Sequence, residues 1–314
     1  MTSMSTTDDS MQPTLPVSVI LPTYNRTAVL RRAIRSVLAQ TSSPAEVIVV
    51  DDASTEDVGS LLASFDDARI RHVRLEHQSG PGVARNRGVM EARHEWVAFQ
   101  DSDDEWLINK LERQWSAAQN APDVALVCGA YVIVPRRGTP RLVAPSAGMQ
   151  ETSWPVEARF AFPFIAPTWF LRRDLYLKTG GFNTNLPNLE DWEFSFRMHD
   201  YGRLIALQDI LLIKHGSADG LNKDLLRQVD SMRQIQTLHW PMLDRSSAVR
   251  TEFLMRRARL HMRIGDRAAL RRIMHEAWRG EPSARNAILY LGALFGGRAF
   301  RLLSRLLYRP AASG

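Results

Sequence analysis

The chain has 314 residues, 45% of them hydrophobic and 24% charged, with a formal charge of +6 and a pI near 9.8. That balance is a globular one with enough length for a sizeable core, and it excludes a disordered or collagen-like chain. A single cysteine, Cys128, excludes an internal disulfide and a cysteine-built zinc site, and it points to a reducing compartment.

From Met1 to about Thr14 the chain is rich in Ser, Thr, Asp and Met without periodicity. It lacks the basic and apolar regions of a signal peptide and reads as a disordered leader over 1–14. Val17 to Leu21 is a nearly continuous apolar run, the pattern of a strand buried on both faces, and Pro22 is expected to end it. Thr27 can cap a helix whose apolar positions Leu30, Ala33, Ile34, Val37 and Leu38 follow the helical period. Glu46 to Val50 is a second buried strand with Asp51 and Asp52 at its carboxyl end, which completes a βαβ unit.

The alternation continues with a helix near 58–64, a strand near 70–75, a helix near 82–92 and a strand over Trp96 to Phe99. Asp104 and Glu105 read as the cap and first turn of a helix through Leu107 and Leu111. Val124 to Ala130 is an apolar strand in which Cys128 is an inert buried thiol. The sequence therefore predicts an α/β fold with a mostly parallel sheet flanked by helices. In such a sheet ligands gather beyond the carboxyl ends of the strands. Three loops there carry the polar residues: Thr23 to Arg26, Asp51 to Ser54, and Asp101 to Asp104.

Neither GxGxxG after the first strand nor GxxxxGK[ST] occurs, so a dinucleotide crevice or a P-loop is not expected. Asp101, Asp103 and Asp104 repel one another unless a cation sits among them, and a divalent metal carrying a diphosphate meets that need.

Taken together, Val17 to Arg26, Val49 to Ser54, Gly82 to Gly88, Phe99 to Asp104, and Gly181-Phe182 followed by Leu189 to Trp192 resemble the family 2 glycosyltransferases of GT-A fold. The resemblance covers roughly residues 15–215. It implies an inverting sugar transfer from a nucleotide-diphosphate sugar, a UDP-sugar being favoured, to a hydroxyl of a glycan or lipid-linked glycan. It implies a nucleotide-sugar site built from Pro22, Thr23, Tyr24, Arg26, Asp52, Arg85, Asp101 and Ser102. A divalent metal, Mn²⁺ or Mg²⁺, falls to Asp103 and Asp101, with His215 as a further ligand. Asp191 corresponds to the general base, with Glu190 beside it, though adjacency does not decide which of the two takes the proton. Thr168 and Trp169 are candidates for acceptor contact. Trp96, Trp106, Trp115 and Trp192 are expected to pack in the core.

After about residue 220 the chain becomes helical and basic, with helices expected over 223–238, 248–264, 267–278 and 285–308. Residues 241–314 hold fifteen Arg, no Lys and five acids, a balance of +10, which leaves −4 for the preceding 240 residues. The last helix interleaves Leu with Arg298, Arg301, Arg305 and Arg309. That pattern suits an anionic membrane surface and equally suits packing on the catalytic domain. No apolar run reaches the roughly 20 residues that span a bilayer. A cytoplasmic protein, with peripheral contact at the inner membrane face, is the expectation. Nucleic acid is not an expected partner. Two other readings stand beside the transferase: a sugar-nucleotide nucleotidyltransferase, whose Gly- and basic-rich phosphate loop is missing after the first strand, and a catalytically silent nucleotide-sugar-binding scaffold.

Overall fold

The structure is a computed structural model and describes residues 13–145, 151–152, 165–216 and 224–307. The expected leader lies outside these residues apart from Pro13 and Thr14, and Thr14 already begins the first strand.

β1 (Thr14–Thr23), α1 (Thr27–Leu38), β2 (Ser43–Asp51), α2 (Val58–Ala63), β3 (Ile70–Arg74), α3 (Pro81–Glu91) and β4 (Trp96–Phe99) form a doubly wound unit. Its four strands lie side by side in the order β3, β2, β1, β4, and all are parallel. Contrary to expectation, β1 runs through Pro22 to Thr23. The reason is local: β4 ends opposite Ile20, so beyond that point β1 is laddered to β2 only and one missing N–H is tolerated.

The sheet continues through the expected strand near 124–130 and through elements that periodicity did not reveal, of which β7 (Arg141–Val143) and β8 (Glu151–Thr152) are short additions off its main path. β9 (Phe170–Arg172) pairs antiparallel with both β4 and β6 (Val124–Val134), and β10 (Arg203–His215) then pairs parallel with β6. β9 has only three residues, too few to show an alternation. The expected helix start at Asp104 is also corrected. Glu105–Trp106 forms a short strand, β5, antiparallel to β10, and the helix α4 begins at Lys110 (Lys110–Gln119).

α5 (Arg173–Lys178) and α6 (Glu190–Arg197) precede β10. Among the described residues five helices follow it: α7 (Leu225–Leu243), α8 (Ser247–Ile264), α9 (Arg267–Gly280), α10 (Ala284–Phe295) and α11 (Gly297–Leu307). Their starts are written locally, since Asp224, Asp266 and Ser283 accept hydrogen bonds from the first free N–H groups of α7, α9 and α10. The single helix expected over 285–308 is broken at Gly296, whose φ of +111° is open to glycine and strained for other residues.

Two hydrophobic cores result. One is built on the sheet; the other joins α7 to α11 and also takes in Leu186, Trp192 and Phe196. Helix α6 lies between them, with Phe194 in the sheet core and Trp192 stacked on Phe253 of α8 at 6.1 Å. Trp96, Trp106 and Trp192 are buried, as their apolar settings suggested, and Trp115 is half-buried against the sheet core.

Candidate active site

The carboxyl ends of β1 and β2 are laced together. Asp52 N–H donates to the Thr23 carbonyl (2.9 Å), Asn25 N–H to Ser54 Oγ (3.0 Å), and Thr55 N–H to Asn25 Oδ1 (2.8 Å). Asn25 and Ala53 both take left-handed backbone, at φ 49° and 61°. Asparagine adopts this readily; alanine is strained there, a mark of a loop held by its surroundings.

Asp51 and Asp52 divide the work. Asp51 is fully buried, pairs with Arg74 and accepts the Ser54 N–H (2.8 Å). Asp52, also buried, accepts the backbone N–H groups of Ser79 (2.7 Å) and Gly80 (2.8 Å). It thereby fixes the turn that starts α3. Pro22 and Thr23 are buried beside it, Tyr24 is half-buried, and Thr23 Oγ1 has no hydrogen-bond partner among the described residues.

Helix α3 brings Arg85 to the centre of the site. Its guanidinium is buried, donates to Asp101 (2.7 Å) and Glu190 (2.9 Å), and stands 5.6 Å over the Phe182 ring. Burial works against the charge, but Asp101 and Glu190 more than offset it and hold Arg85 firmly protonated. Gly88 allows α3 this close to the sheet, because a Cβ there would stand 2.4 Å from Ile20 Cγ2.

The acidic loop after β4 is threaded with cations. Arg26 reaches Asp103 (2.6 Å), Arg32 donates to the Asp103 carbonyl (2.5 Å), and Lys214 on β10 contacts Asp104 (3.1 Å) and Asp101 (3.7 Å). Burial disfavours ionised Asp101, yet Arg85 and Lys214 hold its carboxyl below the usual range. Asp104 is fully buried. Desolvation pushes it up to about 7, with Asp101 and Asp103 adding to the effect and Lys214 opposing it. Ser102 is buried between them.

Glu190 and Asp191 open α6 directly after Leu189, which is itself left-handed at φ 62°. The turn before it is pinned from α3: Asn86 accepts the Phe182 N–H (2.8 Å), donates to the Phe182 carbonyl (2.9 Å) and accepts from the Tyr176 hydroxyl. Among the described residues Asp191 makes no ion pair. Its Oδ1 accepts the Trp192 N–H (2.7 Å), and its Oδ2 lies 3.4 Å from the Ala166 N–H. Burial and the neighbouring Glu190 push its carboxyl up to about 7, against the pull of Arg85.

Carboxylate oxygens of Asp101, Asp103 and Asp104 lie within 4.8 Å of one another, a hard oxygen set of the kind Mg²⁺ or Mn²⁺ accepts. Asp104 has both oxygens engaged, by the His215 N–H (3.0 Å) and by Lys214. Asp101 and Asp103 are the part-exposed members left to hold a metal.

Three sequence-derived candidates are placed elsewhere. The His215 ring does not join the aspartates; it turns to Glu105, with Nε2 3.4 Å from Oε2, and the residue serves Asp104 through its backbone. Trp169 is fully buried against Phe99, Phe182 and Phe194, and the buried Thr168 hydroxyl donates to the Ile165 carbonyl. Both side chains are enclosed within the core, and their segment backs Asp191 through Ala166. Half of the stretch 136–169, expected to shape acceptor contacts, lies outside the described residues. Sequence reasoning missed Lys214, Asn86 and Arg32. Only Lys214 left a signal, as a charge inside an apolar strand end next to His215.

An α/β sheet with an acidic, cation-threaded site at its strand ends has the form of a GT-A glycosyltransferase domain. The family model described as "Glycosyl transferase family 2" matches residues 18–180, more than half of the chain, and the chain belongs to that family. It is 36% identical over 118 residues to the UDP-Glc:alpha-D-GlcNAc-diphosphoundecaprenol beta-1,3-glucosyltransferase WfgD of Escherichia coli, a match covering 38% of this chain and 46% of WfgD. The chain spans at most about half the length of the curated relatives it matches first. Its fold is similar to that of S. aureus TarS 1-349 in complex with UDP-GlcNAc, with a TM-score of 0.66, 20% identity and coverage of 93% of each chain. It is also similar to the mannosyltransferase PcManGT of Pyrobaculum calidifontis in complex with GDP-Man and Mn2+, with a TM-score of 0.59, 20% identity and coverage of 97% and 87%. Among the described residues no helix is long and apolar enough to cross a membrane.

Proposed function

We propose that this protein transfers a sugar, with inversion, from a nucleotide-diphosphate sugar to a hydroxyl of a glycan or lipid-linked glycan. The observation that carries the reading is Arg85. It joins the Asp101 side of the site to Glu190 and leaves the adjacent Asp191, among the described residues, outside any ion pair, with a carboxyl poised at about 7. A general base works best when its pKa lies near the working pH. Asp191 takes the proton of the acceptor hydroxyl as that oxygen attacks the anomeric carbon; the bond from that carbon to the diphosphate oxygen breaks, and one displacement inverts the centre.

Arg26, Arg85 and Lys214 offer positive charge to the departing diphosphate, and Asp101 and Asp103 would hold a divalent metal, Mn²⁺ or Mg²⁺. When bound, the metal neutralises charge growing on the leaving group. Asp52 holds the turn at the start of α3, beside which the nucleotide sits. UDP as the nucleotide is supported by the UDP-Glc donor of WfgD and the UDP-GlcNAc bound to TarS, and a lipid-linked acceptor by the diphosphoundecaprenol-linked acceptor of WfgD. The bound GDP-Man of PcManGT makes the nucleotide the first thing to test.

Thermal unfolding with UDP, GDP, dTDP and CDP, each with and without Mn²⁺, tests the donor site, because a ligand of the folded state raises Tm. A metal-dependent shift for UDP is expected. Metal-independent shifts, or none with any nucleotide, would overturn the metal-assisted donor site and favour a silent scaffold.

A further inference from the structure

We propose that α10 and α11 seat this protein on an anionic lipid bilayer, with a lipid phosphate held between Arg267, Arg298 and Arg301. From residue 282 onward the sequence contains no Asp or Glu and five Arg. The same stretch exposes large apolar side chains: Phe295 is 85% accessible, Leu306 67% and Leu302 62%. In α11 the spacing of Arg298, Arg301 and Arg305 makes one stripe, and Leu302 and Leu306 lie alongside it. Phe300 and Ser304 face the bundle. A basic stripe beside an apolar one, both in solvent, is the pattern of a helix lying in a lipid interface.

The end of this bundle also holds a cavity of about 190 Å³. Met262, Leu270 and Gly297 line it together with Arg267, Arg298 and Arg301. It lies where the α8–α9 turn meets the α10–α11 turn, which Arg271 joins by donating to the Leu294 carbonyl (3.0 Å). Other arginines of the region are matched with acids, such as Arg250 with Asp244 and Arg285 with Glu281. Among the described residues, Arg267, Arg298 and Arg301 meet no acid. Three cations around one cavity repel one another until an anion enters.

Charge complementarity selects the occupant. The helical tail is +10 and the body −4, so a negative surface attracts this end and repels the other. Phe295, Leu302 and Leu306 beside the arginines find apolar surroundings in a bilayer, which a free phosphate cannot provide.

The test is co-sedimentation of the full chain with vesicles of phosphatidylcholine alone and of phosphatidylcholine with phosphatidylglycerol. No sugar donor is present, so the result is independent of the transfer reading. Binding to the anionic vesicles and its loss in salt are expected. Because each basic residue near such a surface contributes about fivefold in partitioning, R298A/R301A should weaken binding by an order of magnitude or more. L302S/L306S should weaken it at unchanged charge, and thermal unfolding of each variant checks that the fold is kept. Equal binding to both vesicles, no binding, or unaffected variants would overturn the proposal. So would inorganic phosphate raising Tm without vesicle binding, which marks a soluble-anion site. A concentration-dependent dimer that L302S/L306S dissociates, again without vesicle binding, would assign the face to a second copy.

Discussion

Arg85 and Glu190, 105 residues apart in the chain, meet in an ion pair of 2.9 Å, and this contact separates the roles of two adjacent carboxylates. Glu190 is committed to the guanidinium, while Asp191 is half-buried and, among the described residues, pairs with no cation of its own. Asp191→Asn should therefore abolish transfer, by about 10²–10⁴-fold in kcat, the usual contribution of a general base. Nucleotide binding followed by thermal shift should survive. Comparable loss of nucleotide binding in this variant would contradict the assignment.

The acid limb of the rate should lie near pH 7, because Asp191 must be ionised to accept a proton and its carboxyl is pushed up to about 7. Glu190 is one of the groups holding it there. Glu190→Gln removes that repulsion and frees Arg85, and both changes favour the ionised form. The limb should move to lower pH, as read from kcat/KM profiles; movement to higher pH would refute the electrostatic account.

The same group gives a stability signature. An aspartate ordinarily titrates near 4, so between about pH 4 and 7 the folded state keeps a proton that the unfolded chain has released. Stability falls as pH rises through that window. Asp191→Asn removes this penalty. Its gain over the parent should be absent below pH 4 and reach about 2–4 kcal/mol above pH 7, measured by urea unfolding across pH.

Asp103 and Asp104 should respond differently to substitution. Asp103→Ala takes away a part-exposed carboxylate of the cluster and releases Arg26, so the Mn²⁺-dependent nucleotide shift should vanish with little change in intrinsic Tm. Asp104→Ala leaves the half-buried Lys214 without its main partner, and losing a charged hydrogen bond there should cost about 1.5–3 kcal/mol, below the penalty for a fully buried pair. A reversal of the two outcomes would exchange the metal-binding and structural roles.

Gly88→Ala tests how α3 holds Arg85. The new Cβ would overlap Ile20 Cγ2, so the helix must lift from β1 at a cost of about 1–3 kcal/mol. Chemical denaturation should show that loss, and the nucleotide shift should weaken with it as Arg85 moves from Asp101.

The sequence by itself determined the parallel half of the sheet, because buried parallel strands are continuous apolar runs and their helices keep a 3.6-residue period. It also brought forward Asp52, Arg85, Asp101, Asp103, Glu190 and Asp191, since their segments stand at strand ends or helix starts. Tertiary structure alone decided what those residues do to one another. Lys214 and Asn86 act through contacts more than 90 residues away, and no local pattern encodes such a distance. Trp169 and His215 went astray for the same reason: sequence position placed them near the site, but whether a side chain faces the cleft or the core depends on strands that pair only in the folded chain. β9 is the plainest case, with three residues whose direction and partners come entirely from the two strands that receive it.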